Sequence, residues 1–322
     1  MNRRRSDRFV GTSRAMQRAL EQVTVAGRGR FPVWIQAEDG IDKELMARLI
    51  HSASEWATGG FFGLDASIVP ESLLGRELFG SVAGAIAALP GTYEGAFERV
   101  GAGTVLVERI ETVPKDLQNA LATALAEGSF RRIGGQELLP LEGRLIAASG
   151  VPLDVLISEG RIVRELGERL RLLELRIPPL RERKEDILPI AAQFLSLARR
   201  ELENETGQPC EVRSFSREAL ERLVAHPWPG NERELREQVR AALRLARGEE
   251  LGPEDLLLSW ESSEEVPSFR EAKRAFEREY VTRVLRICHG NISKAARIAK
   301  KDRKDFYDVM RRNAINPTDF RN

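Results

Sequence analysis

The chain has 322 residues, of which 42% are hydrophobic and 31% are charged, a balance that excludes a disordered protein. No apolar stretch approaches the roughly 18 residues that a membrane-spanning helix needs, and no apolar segment follows the basic N-terminus as it would in a signal peptide. We therefore expect a cytoplasmic protein of two or three domains that does not associate with membranes. Its two cysteines, Cys210 and Cys288, form no metal or redox motif and are expected to be buried thiols.

The net charge of +1 conceals an uneven distribution of charge along the chain. Residues 269–322 contain fifteen Lys and Arg against seven Asp and Glu, a balance of +8, so the remaining residues together carry −7. A basic C-terminal unit joined to a mildly acidic body favours a nucleic-acid partner.

The first 180 or so residues alternate between strand-like and helical segments. The segments FPVWIQ (31–36), GTVLVERI (103–110) and GRLIAASG (143–150) are short and mostly apolar, which predicts buried strands. Between them, KELMARLIHSAS and KDLQNALATALAEG carry apolar residues at helical spacing. Such alternation predicts a parallel sheet covered by helices.

Beyond this region the apolar periodicity is helical only. It predicts a small helical subdomain at 187–258, following an α/β core at 1–186. The polar, acidic segment SWESSEEVPS, residues 259–268, is our predicted linker. The last domain, 269–322, is predicted to hold one long helix (269–287) and, after a Gly-Asn break, two shorter helices.

Residues 35–51 contain a pattern like that of a phosphate-binding loop. A predicted strand leads into AEDGIDKE and then into a helix, which is the layout of a P-loop, G-x-x-x-x-G-K-[ST]. Lys43 stands at the lysine position, whereas Ala37 and Asp42 replace the two glycines. Their Cβ atoms disfavour a positive φ, and the Asp42 carboxylate would repel phosphates. We therefore expect a vestigial nucleotide site in which Lys43 pairs with a neighbouring acid.

Five segments, taken in order, resemble those of bacterial enhancer-binding proteins, the NtrC-type activators of sigma-54 RNA polymerase. They are FVGTSRAMQRAL, LLGRELFG, GAGTVLVERI, RIPPLRERKEDI and HPWPGNERELREQV. The resemblance spans nearly the whole chain and begins at about Phe9, so no sensory domain is expected before it. It implies an α/β AAA+ core of the three-layer P-loop type with a parallel sheet, an α-helical lid and a small all-α Fis-type helix-turn-helix domain.

Several positions that carry ATP hydrolysis in that family are altered in this chain. The resemblance places Glu108 and Arg109 where the Walker B strand ends in Asp-Glu, and a guanidinium stays protonated and cannot act as a base. Gly150 stands at the sensor I position, which is Asn in the family, and Val163 at one of two arginines that act in trans. The family residues that remain are Lys43, Glu44, Arg169 at the second trans arginine position, and Arg233 at sensor II.

The sigma-contacting loop is altered as well. The family loop resembles G-A-F-T-G-A, whose Phe and Thr touch the sigma factor, whereas residues 84–89 here are GAIAAL. We therefore expect contact with sigma-54 to be lost. No cofactor or metal is expected, and binding of ATP and Mg²⁺ without hydrolysis is left open but disfavoured.

The segment HGNISKAARIAKKDRKDFYDVMRRNAI resembles the Fis-type element. Asn291 or Ser293 would cap its first short helix, whose packing face would consist of Ala295, Ala296 and Ile298. The resemblance implies that this helix supports a second one, which binds duplex DNA.

The second helix is predicted to begin near Arg303. Phe306, Val309 and Met310 lie three and four residues apart and would bury one of its sides. The opposite side is polar and basic and would face a DNA groove. The residues expected to bind DNA are Lys294, Lys301, Arg303, Lys304, Tyr307, Arg311 and Arg312.

Three functions compete at this point. The favoured one is a DNA-binding transcriptional regulator whose AAA+ core is a scaffold that does not hydrolyse ATP. Such a scaffold would assemble with copies of itself, dimerising through the C-terminal domain, or with related regulators. The alternatives are an active ATPase that remodels sigma-54 promoter complexes with atypical residues, and a purely structural interaction protein. Arg109 argues against the first alternative, and the basic C-terminal unit argues against the second.

Overall fold

The computed structural model describes residues 11–86, 91–246 and 248–258, together with 281–282, 284–285, 288, 290–299, 301–312, 315 and 317. The chain divides into two compact units, Met1–Ser259 and Trp260–Asn322. No helix within these described ranges is long and apolar enough to cross a bilayer.

The first unit is built on a five-stranded parallel sheet with the strand order β2-β3-β6-β1-β7. Because the strands are parallel, their carboxyl ends meet at one edge, where Gln36 is opposite Ser149 and Glu108 is opposite Asp65. The residues that follow these strand ends therefore lie close together. The strands are β1 (Val33–Gln36), β2 (Phe61–Asp65), β3 (Thr104–Glu108), β6 (Arg144–Ser149) and β7 (Glu174–Arg176), and a separate antiparallel pair is formed by β4 (Ser129–Phe130) and β5 (Leu139–Pro140).

Helices cover both faces of this sheet. Val33 and Ile35 of β1 pack with α1 and α2 on one face, whereas Trp34 packs with α3, α4 and α5 on the other. This alternation follows from the period of two in a strand, and it produces the predicted three-layer α/β core. The core helices are α1 (Arg14–Gly27), α2 (Lys43–Ser52), α3 (Glu71–Phe79), α4 (Ala96–Val100), α5 (Lys115–Glu127), α6 (Leu153–Ser158) and α7 (Arg164–Leu170).

A helical lid follows the α/β core, as predicted. It packs around Trp228, which is fully buried and whose indole N–H donates to the Leu223 carbonyl at 2.8 Å. Cys210 is only half-buried here, so the expectation of two buried thiols is correct for Cys288 alone. The lid contains α8 (Lys184–Thr206), α9 (Arg217–Ala225) and α10 (Asn231–Leu245), with a short strand pair, β8 (Ser214–Phe215) and β9 (Glu250–Leu251).

The three strands predicted from the sequence are present, but each is shorter than expected. Phe31 lies before β1 and is 62% exposed, and Gly150 follows the end of β6. Arg109 is outside β3 because its backbone adopts the left-handed conformation, with a φ of 51°. The apolar pattern locates a strand, whereas backbone turns at its ends fix its bounds.

The second unit contains two short helices, α11 (Ile292–Ile298) and α12 (Arg303–Arg312). Asn291, not Ser293, caps α11, because its side-chain oxygen accepts a hydrogen bond from the Lys294 N–H at 3.1 Å. Ala295 and Ala296 are buried as expected, but Ile298 is 46% exposed, so its assignment to the packing face was wrong.

Helix α12 buries the side that the apolar spacing predicts. Phe306, Val309 and Met310 are each at most 5% exposed and pack with Leu285 and Cys288. The opposite side is therefore left at the surface of this unit. Within the predicted long helix, 269–287, residues 281–282 and 284–285 are described, and they are helical. The other residues of this predicted helix lie outside the described residues.

Candidate nucleotide site and candidate DNA-binding helix

Lys43 is the first residue of α2 and lies at the carboxyl edge of the sheet. Its side chain is only 4% exposed. The ammonium donates to the Glu38 carbonyl at 3.1 Å and lies 3.6 Å from the Asp39 carboxylate. The expected pairing of Lys43 with a neighbouring acid is thus observed, and the acid is Asp39.

The Asp42 carboxylate caps α2. It accepts a hydrogen bond from the Leu45 N–H at 2.8 Å, and the φ of Asp42 is −77°. Neither Asp42 nor Ala37 has a positive φ, so the expectation that their Cβ atoms strain the backbone of this loop was wrong. In this loop the positive φ, 86°, belongs to Gly40. The Asp42 carboxylate places a negative charge at the helix N-terminus, where a P-loop binds phosphate.

Gly40 is the point at which the loop touches the lid. A Cβ atom at this position would lie 1.9 Å from the Gly230 carbonyl oxygen, so only glycine allows the approach. The Arg233 backbone N–H donates to the Gly40 carbonyl at 3.1 Å, and the Asn231 side-chain amide donates to the Asp39 carbonyl at 3.0 Å. The lid therefore binds this loop through the backbone carbonyls of the loop.

An ion pair reinforces the contact between loop and lid. The Arg181 guanidinium donates to the Glu38 carboxylate at 2.7 Å, and the Asn231 amide lies 3.3 Å from the same carboxylate. The hydrogen bond from Arg181 holds the pKa of Glu38 below its usual value, although partial burial opposes this. Glu38 is thus a charged anchor for the lid, while Glu44 pairs with Arg48 on the outside of α2.

Asn231→Ala is expected to lower the free energy of unfolding by about 2–4 kcal/mol. Asn231 is fully buried with a φ of 50°, and its side chain also accepts the Leu180 N–H at 2.8 Å. Alanine would leave buried groups unpaired, at about 1–3 kcal/mol each, and would fit the left-handed backbone poorly. Denaturant unfolding measures the change. The exposed Asn204→Ala on α8 serves as the control, and an unchanged midpoint for Asn231→Ala would contradict the assignment.

The segment that follows β3 is the second part of the site. Burial raises the pKa of Glu108, and the nearby Lys43 opposes that rise. The Arg109 guanidinium forms an ion pair with the Asp65 carboxylate and donates to the Ser67 hydroxyl at 3.1 Å. It also lies 3.6 Å from the Asp39 carboxylate. Arg109 therefore links the loop to the end of β2.

Asp65 was not recognised from the sequence as a site residue. Burial alone would raise its pKa, but hydrogen bonds from Ser67 and Arg109 outweigh burial and leave the pKa lowered. Asp65 is therefore a charged partner for Arg109. Its place at the end of a strand adjacent to β3 is the signal that could have identified it, whereas nothing local marks Arg181 or Asn231.

The remaining predicted site positions differ in their surroundings. A Cβ atom at Gly150 would make only ordinary contacts, the nearest being the Ala37 carbonyl oxygen at 3.7 Å, so the position has room for a Cβ atom. The Val163 backbone N–H donates to the side-chain carbonyl oxygen of the buried Gln118 at 2.8 Å. Arg169 is half-buried on α7 and Arg233 is exposed on α10, and neither forms an ion pair with the described part of the chain.

The exposed side of α12 carries most of the residues predicted to bind DNA. Lys304, Tyr307, Arg311 and Arg312 are exposed there, as are Lys294 on α11 and Lys301 in the turn between the helices. Asp305 and Asp308 are exposed on the same helix. Arg303 begins the helix, but its side chain lies outside the described part of the structure.

The parallel sheet, the loop after β1 and the helical lid define a P-loop-type AAA+ protein. The sigma-54 interaction domain model matches residues 9–176, and the AAA+ ATPase lid domain model matches residues 181–272. The chain belongs to the sigma-54 interaction domain family of transcriptional regulators.

Similar proteins include transcriptional regulatory proteins of other bacteria. The chain is 32% identical over 316 residues to the transcriptional regulatory protein GlrR of Escherichia coli, covering 97% of this chain and 69% of GlrR. It is 34% identical over 315 residues to DctD, the C4-dicarboxylate transport regulator of Pseudomonas aeruginosa, covering 96% of this chain and 64% of DctD. The structure of NtrX from Brucella abortus in complex with ATP matches with a TM-score of 0.69 and 27% identity, covering 96% of this chain and 71% of NtrX.

Proposed function

We propose that this protein is a DNA-binding transcriptional regulator whose AAA+ core is a scaffold that does not hydrolyse ATP. The observation that supports this proposal best is the position of Arg109 and its ion pairs. This residue stands where the family resemblance places the carboxylate that polarises the attacking water, and it is tied by charge to Asp65 and Asp39. A protonated guanidinium cannot accept a proton, and these partners raise its pKa further, Asp65 chiefly by hydrogen bonding.

The alternative, an active ATPase, is supported by family membership and by Lys43, Arg169 and Arg233. Brucella abortus NtrX has been solved in complex with ADP and with ATP. The charges near Lys43 in this chain argue against binding of ADP or ATP. Two cations, Lys43 and Arg109, lie near four carboxylates, so a phosphate chain would enter a site with little positive charge to attract it. These carboxylates belong to Asp39, Asp42, Asp65 and Glu108.

The DNA-binding part of the proposal rests on α11 and α12. The alanines of α11 pack against the buried side of α12, and cations of α12 are exposed on its other side. In helix-turn-helix docking the start of the second helix meets base edges and flanking cations meet phosphates. The proposed partner is duplex DNA, bound by a dimer or by a mixed assembly with related regulators.

Arg311→Ala is expected to weaken binding equally on all sequences and to reduce by about one the slope of log affinity against log salt concentration. The exposed Arg311 lies near the C-terminal end of α12, which suits contact with a phosphate. Arg303→Ala, at the start of the helix, should instead relax sequence preference. The measurement is fluorescence anisotropy of the full chain with a duplex selected from a random library, at several salt concentrations.

Arg200→Ala is the matched control for these two variants. Arg200 is an exposed arginine on α8 of the lid, and its loss should leave both affinity and salt slope unchanged. Equal binding of random and selected duplexes by the wild-type protein at physiological salt would refute a sequence-specific regulator. Absence of binding to any duplex would favour the purely structural interaction protein.

A further inference from the structure

The Asp39 carboxylate lies between two cations of the candidate nucleotide site. One of its oxygens is 3.6 Å from the Lys43 ammonium and 3.6 Å from the Arg109 guanidinium. In a P-loop, the lysine and the loop N–H groups cradle a phosphate. Here a side-chain carboxylate of the same loop is placed against the lysine.

We propose that Asp39 is an internal anion: its carboxylate takes the place of a nucleotide phosphate beside Lys43 and links the loop to the turn after β3 without nucleotide. This inference rests on the proposed non-hydrolysing core and does not depend on DNA binding. It also accounts for Lys43, since a lysine only 4% exposed needs a nearby anion once no phosphate binds.

Contacts made by the same loop extend this arrangement to the lid. The Asp39 carbonyl accepts the Asn231 amide at 3.0 Å, and the Gly40 carbonyl accepts the Arg233 N–H at 3.1 Å. The Glu38 carboxylate accepts the Asn231 side-chain amide at 3.3 Å and also pairs with Arg181 in the turn before α8. Each of the three residues after Ala37 is therefore bonded to the lid, while Asp39 also bonds to the core. A loop fixed on both sides keeps one lid position, and no ligand is needed to select it.

The proposal predicts which change restores an anion site. Asp39→Ser removes the internal anion and frees Lys43 and Arg109 to meet a phosphate. Asp42→Gly removes a second negative charge from the N-terminus of α2. The double variant should bind MgADP at least about tenfold more tightly than the wild-type protein, which corresponds to about 1.4 kcal/mol.

The experiment is a titration of the 322-residue chain with a fluorescent ADP analogue in the presence of Mg²⁺, followed by displacement with unlabelled ADP. The wild-type protein should show no saturation at millimolar ADP, and the double variant should saturate. Adding Lys43→Ala to the double variant should abolish the gain, because the recovered phosphate contact is made by that ammonium. Asp154→Ser is the matched control, since this exposed aspartate pairs with Arg171 elsewhere on the core and should change nothing.

If the double variant does not fold, as judged by circular dichroism, Asp39→Asn carries the same test because it removes the charge and keeps the size of the side chain. Saturable binding of ADP by the wild-type protein with the same affinity as the variants would overturn the proposal. Folded variants that gain no affinity would overturn it too. ATP hydrolysis by the wild-type protein would instead refute the proposed function, so the two failures are distinguishable.

Discussion

Purified protein is expected to release phosphate from ATP no faster than a protein-free blank, at any protein concentration. By the family resemblance, Arg109 stands where the base is expected, and Gly150 stands at the sensor I position without a side chain to orient a water. Loss of one well-placed base or donor lowers a rate by about 10²- to 10⁴-fold, so these losses together should bring turnover below detection. Turnover near 1 s⁻¹ that rises with assembly would contradict this.

Single reversions are not expected to restore the activity. Arg109→Glu alone would place a carboxylate beside Asp65, Asp39 and Glu108, where like charges repel, and should lower stability instead. A combined variant with Asp39→Ser, Asp42→Gly, Arg109→Glu and Gly150→Asn removes two carboxylates from the site and so weakens that repulsion, and a Cβ atom at Gly150 would make only ordinary contacts.

The combined variant should show slow but measurable phosphate release. Full activity should still be missing, because Val163 leaves one of the two trans arginine positions without a guanidinium. Adding Val163→Arg to the combined variant should therefore raise the rate further. Arg200→Ala in the same background is the control, since it changes the charge of the chain at a site far along the sequence.

The protein alone is also expected to form no open complexes at a sigma-54 promoter. Ile86 stands where the family loop has its phenylalanine, next to Gly84 and Ala85, which match the family. The threonine position is occupied by Ala87, which lies outside the described residues. By the family resemblance, a loop without the aromatic ring and the hydroxyl group would lack the contacts with the sigma factor, and the proposed non-hydrolysing core could not move it.

Permanganate footprinting of a promoter with sigma-54 polymerase, ATP and this protein measures the effect. An active family member at the same concentration is the positive control. Ile86→Phe combined with Ala87→Thr should remain inactive, because restoring the loop does not restore hydrolysis. When the wild-type protein is mixed with the active relative, the relative's output should fall. Promoter opening by this protein and ATP alone would refute the expectation.

The amino-acid sequence by itself predicted three of the five strands of the sheet, the helical lid and the positions that differ from the family motifs. Short, mostly apolar runs located β1, β3 and β6, and the spacing of Phe306, Val309 and Met310 predicted the buried side of α12. These patterns are local, so they can be interpreted without knowing how the chain folds back. The prediction that Arg109 stands at the position of the Walker B base needs only the family resemblance and the identity of the residue.

The tertiary structure alone decided what the altered residues do. Asp42 caps a helix, and the positive φ of the loop falls on Gly40, which touches the lid. Glu38 and Arg181 are 143 positions apart, so no local pattern connects them. Likewise, Asp39 meets Arg109 only because parallel strands bring their carboxyl ends to one edge. Such contacts depend on the packing of distant segments, and local periodicity carries no information about which distant side chains will meet.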